Sequence, residues 1–267
     1  RDYYASRGLG DVYKRQGADI AALLDKPNNN LAVEYCKAII EQNVEMQPIA
    51  LPRQGADHGQ ALTESSHTAF ASASALRALW AEGGAAALAP YVPQKALKLY
   101  KQAEYDGKYM DFAVMGHCEL ALLRAACAGQ APFAAVRGVS EGLEHRLENA
   151  VRETASLPAL LDALTTVRYP RARMRRLAMD AALGYTAQTP ALPPYLHLLG
   201  ARKEALPLPG ETALPLSHSL ARLARENETC AQMAAAQNRA SDLGALCRAK
   251  PEPMGGIYRQ KIIFLTN

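Results

Sequence analysis

At 267 residues, 49% hydrophobic and 21% charged, the chain can bury a sizeable core in one large or two modest domains. No apolar run approaches the roughly 20 residues that a membrane-spanning helix needs, and the opening RDYYASRGLG lacks the apolar stretch of a secretory signal, so a cytoplasmic protein is expected. A net charge of +4 is too small to identify a partner by itself. The cysteines, Cys36, Cys118, Cys127, Cys230 and Cys247, form no CxxC pair, which predicts inert thiols in a reduced compartment and argues against a disulfide framework or zinc site.

Residues 1–16 join no periodic pattern and are read as non-native or disordered, with GLGDVYKRQ as read-through sequence at a fragment edge. From Ala18 the pattern changes. LAVEYCKAIIEQ places Leu31, Val33, Tyr35, Ala38 and Ile39 at helical spacing, with Asn29 or Asn30 as N-cap. MQPIALPR alternates Ile49 and Leu51 with smaller or polar neighbours, predicting a strand that ends near Arg53 in the loop RQGADHGQ. Helix, strand and loop in that order are an α/β signature. A further helix is expected from Ser72 or Ser74, with Leu76, Leu79 and Trp80 on one face and Gly83-Gly84 as its stop. Pro90 and Pro93 mark a boundary. Residues 94–187 then read as about five helices, an all-α domain. Prolines break up residues 188–267, where only LSHSLARLAREN and ETCAQMAAAQNRASDLGALCR look helical and KIIFLT suggests an edge strand.

Among chemistry-bearing patterns, TVRYPRARMRR is the strongest, because Arg168, Arg171, Arg173, Arg175 and Arg176 come without one interleaved acid. On a helix beginning at Pro170, residues 168, 171 and 175 share one face and 173 and 176 the adjacent one. Guanidinium groups stay charged and pair bidentately with phosphates, so a nucleic-acid backbone is the natural partner. The competing reading is a solvated face paired with acids elsewhere. SASALR presents a Ser-capped helix start with Arg77 one turn inside, able to receive a phosphate, although any capped helix containing an arginine looks the same. KPNNN, Arg53 and Asp57-His58 offer carboxamides for a base or ribose edge and a cation for phosphate; the alternative is an Asn-rich cap and a turn. In EGLEHRLE, Glu141, Glu144, His145 and Glu148 superficially suit a carboxylate-bridged metal, but His117 and Glu119 supply no matching second motif, so a solvated face with Leu143 and Leu147 inward is expected.

Taken in order, KPNNNLAVEYCKAI, PIALPRQGADH, ASASALRAL, SEGLEHRLENA, TTVRYPRARMRRL and PPYLHLLG resemble the tRNA(Met) cytidine acetate ligase family over about residues 20 to 200. The resemblance implies an α/β nucleotidyltransferase-like partial domain over 17–93, followed by a mainly α-helical domain whose 94–187 part binds tRNA. It implies ATP, with Mg2+, and acetate as co-substrates. Acetate would be activated as acetyl-adenylate and passed to N4 of the wobble cytidine of elongator tRNA(Met). By the same resemblance Asn28, Asn29, Arg53, Ser72, Ser74 and Arg77 would contact ATP. Arg168, Tyr169, Arg171, Arg173, Arg175 and Arg176 would bind tRNA, with Val167 standing where the family usually has Lys.

One departure is large. The family's HxGH-type phosphate loop occurs nowhere, since His58-Gly59 is followed by Gln60. Loss of one such donor typically costs about a hundredfold or more in rate, so the chain is expected to be inactive as a fragment lacking its front catalytic segment. Two other functions compete: a non-catalytic helical RNA-binding module, and a small-molecule adenylyltransferase, for which five arginines have no use.

Overall fold

The computed structural model describes residues 27–51, 71–140, 142–205 and 212–264. The chain divides into two units, Arg1–Ala75 and Leu76–Asn267. In the first, helix α1 spans Pro27–Glu41. It starts earlier than expected, because Pro27 is tolerated at the first helical position, where its missing N–H would have no intrahelical partner. Asn29 and Asn30 therefore lie inside the first turn and do not occupy the cap position. The expected strand over MQPIALPR is absent from the described residues, which reach Leu51. Pro48 offers no ladder amide, and Ile49 and Leu51 stand 82% and 87% exposed, without the cover that half-buries a strand.

Helix α2, Ala73–Gly83, begins at the serine that the sequence marks. The Ser72 hydroxyl accepts from the Ala75 amide at 3.2 Å, satisfying one of the orphan donors of the first turn. Gly84 ends the helix at φ 66°, a left-handed conformation that suits glycine.

Helices α3 (Gln94–Tyr105), α4 (Phe112–Ala126), α5 (Leu143–Glu153), α6 (Leu157–Leu164) and α7 (Arg171–Ala182) follow, matching the expected five. Asp111 caps α4 by accepting from Ala113 N at 2.9 Å and Val114 N at 3.1 Å, and Ser156 caps α6. Helix α5 shows why these segments fold together. Leu143, Leu147, Ala150 and Val151 recur at one-turn spacing and are all buried, while Glu148 and Arg152 pair at 2.7 Å outside. The shared core adds Leu120, Leu123, Phe133, Leu160, Leu164, Met174 and Leu177, each such side chain stabilising the fold by about 1.5–3 kcal/mol relative to exposure.

Beyond Gly184 come helices α8 (Leu220–Leu223), α9 (Glu228–Leu246) and α10 (Gly256–Arg259). Strand β1 (Leu196–His197) pairs in parallel with β3 (Leu216–Ser217), and β2 (Gly200–Ala201) with β4 (Ile263–Phe264). The strand expected in KIIFLT is observed at Ile263–Phe264 and partnered by β2, while β1, β2 and β3 are additions. A second core gathers Tyr195, Leu220, Leu223, Cys230 and Ala234.

One backbone joint ties distant segments. Asp111 N donates to Cys247 O at 2.8 Å, Ala249 N to Tyr109 O at 3.0 Å and Lys250 N to Gly107 O at 3.0 Å. It holds the segment after α3 against the end of α9.

Candidate nucleic-acid interface

The arginine segment is positioned by its apolar residues. Met174, Leu177, Ala178 and Ala181 face the core, which leaves Arg171 and Arg175 on one flank of α7 and Arg173 and Arg176 on the other. Ahead of the helix a tight turn presents Tyr169: its amide donates to Thr166 Oγ1 and its carbonyl accepts from Thr166 N, both at 3.0 Å. The half-buried ring packs on the core, and two guanidinium groups lie over it, Arg168 at 5.7 Å and Arg173 at 5.1 Å from the centroid. Cation–π contacts of this kind are worth about 0.5–1 kcal/mol at exposed sites, enough to bias two flexible side chains toward one orientation. Arg173 also reaches Gly138 O at 3.4 Å.

Acids partner this stripe in part, as the competing reading holds. Arg171 is ion-paired to Asp162 of α6, and Arg168, Arg173 and Arg176 have further partners within the chain. Both members of the Arg171 pair are largely exposed, where an ion pair contributes little and a phosphate can displace the carboxylate. Arg175 is exposed and projects its charge toward Glu119, an acid only 1% exposed whose Oε1 has no hydrogen-bond partner among the described residues. Burial pushes the Glu119 carboxyl up to about 7, with the Arg175 charge pulling the other way.

A second tyrosine repeats the arrangement of the first. Arg137 and Arg239 approach the Tyr185 ring at 5.6 Å and 5.7 Å from its centroid, and its hydroxyl donates to Ala236 O at 2.8 Å. Arg137 is bidentate on Asp180 of α7, and Arg239 donates to Leu183 O. Sequence reading misses Arg137, Arg239 and Asp162, because their partners lie 9 to 56 residues away and no local spacing signals them. Glu119 does carry a signal, an acid beside Leu120 and one turn before Leu123 on an otherwise apolar face.

The residues expected at ATP are distributed differently. Ser72 is buried and occupied as the α2 cap, whereas Ser74 and Arg77 are exposed, one turn apart on the same helix. Asn28 and Asn29 sit in the first turn of α1. Arg53, Asp57, His58 and Glu141 lie outside the described residues. On α5, Leu143 and Leu147 are inward as expected, Glu144 is 3.9 Å from His145, and Glu148 pairs with Arg152.

A family model described as HIGH Nucleotidyl Transferase matches residues 5–253. The chain belongs to the HIGH nucleotidyl transferase family. Among its curated relatives, the tRNA(Met) cytidine acetate ligase of Listeria welshimeri serovar 6b is 30% identical over 198 residues, covering 74% of this chain and 48% of the relative. That of Geobacillus sp. (strain WCH70) is 29% identical over 200 residues, covering 73% and 49%. This nucleotidyl transferase chain thus spans about half the length of the curated relatives it matches. The crystal structure of apo Thermotoga maritima TmcAL superposes with a TM-score of 0.81 at 19% identity, over 98% of this chain and 66% of that one. The form bound with alpha-thio ATP gives 0.79. The fold is therefore nucleotidyltransferase-like, helix-rich with small parallel sheets.

Proposed function

We propose that this chain carries the tRNA-binding helices and part of the ATP site of an ATP-dependent acetate–tRNA ligase. The observation that carries the reading is the presentation of Arg168, Tyr169, Arg171, Arg173, Arg175 and Arg176 on one helix and its leading turn, in a chain whose relatives are tRNA(Met) cytidine acetate ligases. In the reaction, an acetate oxygen attacks the α-phosphate of ATP and pyrophosphate departs. N4 of the wobble cytidine of elongator tRNA(Met) then takes the acetyl group, releasing AMP and leaving N4-acetylcytidine.

Residues 17–93 contribute to ATP binding in this reading, 94–187 to tRNA binding, and the location is the cytoplasm. The donors fit a polyphosphate. Ser74 and Arg77 stand exposed beside the positive end of α2, and neither has a hydrogen-bond or ion-pair partner among the described residues. Asn28 and Asn29 would serve the nucleoside side, and Arg53 and Mg2+ would meet the phosphates. The 267 residues contain no HxGH tetrapeptide, so we expect this chain alone to show no acetate-dependent ATP–pyrophosphate exchange. Exchange at an ordinary enzymatic rate would refute that.

Binding of elongator tRNA(Met) at about 50 and about 200 mM salt tests the RNA half. Wild type is expected to weaken steeply with salt, and a variant with Ala at Arg168, Arg171, Arg173, Arg175 and Arg176 to lose most of its affinity. Equal, weak binding by both chains would make the stripe a solvated, acid-paired face. The second reading, a non-catalytic RNA-binding module, draws support from the same arginines. It is distinguished by tRNA binding without any ATP-dependent change in the presence of nucleotide.

A further inference from the structure

Helix α3 carries a second cationic face, unrelated to the arginine stripe in sequence. Lys95, Lys98 and Lys101 recur every three residues and all are exposed. Ala96, Leu97, Ala103 and Glu104 are the less exposed side of the helix, and Tyr100 meets Trp80 edge-on at 5.7 Å. Trp80 also contacts Tyr109 at 5.7 Å, so aromatic packing fixes which side of α3 faces water.

The local acids are already engaged. Glu104 Oε1 accepts from the Ala85 amide at 3.0 Å, and Asp106 accepts from Gln102 at 3.0 Å and lies 3.7 Å from Lys108. Lys95, Lys98 and Lys101 have no ion pair among the described residues. Tyr105, on the same side, is 89% exposed. An exposed ring at the end of a row of three ammonium groups without an ion pair among the described residues combines a stacking platform with phosphate counter-charge.

Resting on the RNA-binding reading above, we infer that the outer face of α3 is a second RNA-binding surface, with Lys95, Lys98 and Lys101 on phosphates and Tyr105 stacked on an unpaired base. Charge complementarity favours this occupant. A lipid surface is disfavoured because, of the exposed large apolar groups of the helix, Tyr100 packs on Trp80, leaving Leu99 and Tyr105, too little to enter a headgroup layer.

The test uses the full chain, elongator tRNA(Met), a short single-stranded oligonucleotide and phosphatidylserine-containing vesicles. Changing Lys95, Lys98 and Lys101 to Ala is expected to weaken tRNA binding about tenfold or more at low salt and to lower the log–log salt slope by about 2. The triple Lys→Arg variant retains both, and matched thermal melts exclude misfolding as the cause. Tyr105→Ala is expected to weaken the oligonucleotide about fivefold without changing the slope, and Tyr105→Phe to leave it intact. If the lysine-to-alanine variant binds RNA like wild type while the five-arginine variant collapses, the α3 surface is overturned and the tRNA-binding reading stands. If neither variant differs from wild type, or wild type binds no RNA, both fall. Loss of vesicle binding with RNA binding unchanged assigns the face to lipid and also overturns the inference.

Discussion

Glu119 is the residue where sequence chemistry and packing conflict most sharply. Its carboxyl sits at about 7 in the fold because burial penalises the charged form, against an ordinary value of 4.5. The folded state therefore holds this proton more tightly than the unfolded chain. The associated stability is fully present below about pH 4.5 and is lost as pH rises through about 7. Glu119→Gln removes the titrating group. It should raise the melting temperature at about pH 8, by a stability difference on the order of 3 kcal/mol, and have little effect near pH 4.5. Thermal melts across that range decide it, and parallel profiles for the two proteins would sink the account. Thiol reactivity is also settled residue by residue. Cys247 is fully buried and its thiol is pushed up to about 11, by burial first and by hydrogen bonding to Cys118 second, whereas Cys36 is exposed on α1. Iodoacetamide at about pH 8 should modify Cys36 within minutes and spare Cys247 until the chain unfolds. Labelling of both at one rate would contradict this.

At the scale of elements, glycine supports the joint between the α3–α4 connection and the end of α9. Gly107 has φ 67°, and a Cβ there would meet Lys250 Cβ at 2.6 Å. Gly107→Ala should cost about 1–3 kcal/mol through backbone strain and displacement of Lys250, read as a lower denaturant midpoint. An unchanged midpoint would show that the joint contributes little. Helices α3 to α7 were legible beforehand because their apolar residues recur at turn spacing, as Leu143, Leu147 and Val151 do, and because Pro93 and Pro170 bound them. The start of α1 was misread because an Asn pair advertises a cap more loudly than Pro27 advertises a first turn. Two-residue strands such as β1 and β3 are too short to show alternation, so nothing in the chain announces them. The arginine segment was legible as a segment. Its Asp162 partner was not, because that contact depends on how the α6–α7 turn folds back.

On the whole-molecule scale, ATP and RNA functions are expected to separate. Arg77→Ala should leave tRNA affinity within about twofold of wild type, since Arg77 lies on α2, outside the arginine stripe. Parallel titrations with tRNA and with labelled ATP check this, and a large loss of tRNA affinity would place Arg77 on the RNA path. The joint at Gly107–Asp111 also bears on how the molecule is made. Its two halves stand roughly 140 residues apart, and ribosomes add about 5–20 residues per second. During synthesis, then, Gly107 to Asp111 wait on the order of ten seconds for the segment around Lys250 to be made, with their hydrogen bonds unmade. Through that interval the backbone groups of Gly107, Tyr109 and Asp111 pair with water, and the seam closes only after the residues between its two halves have been made.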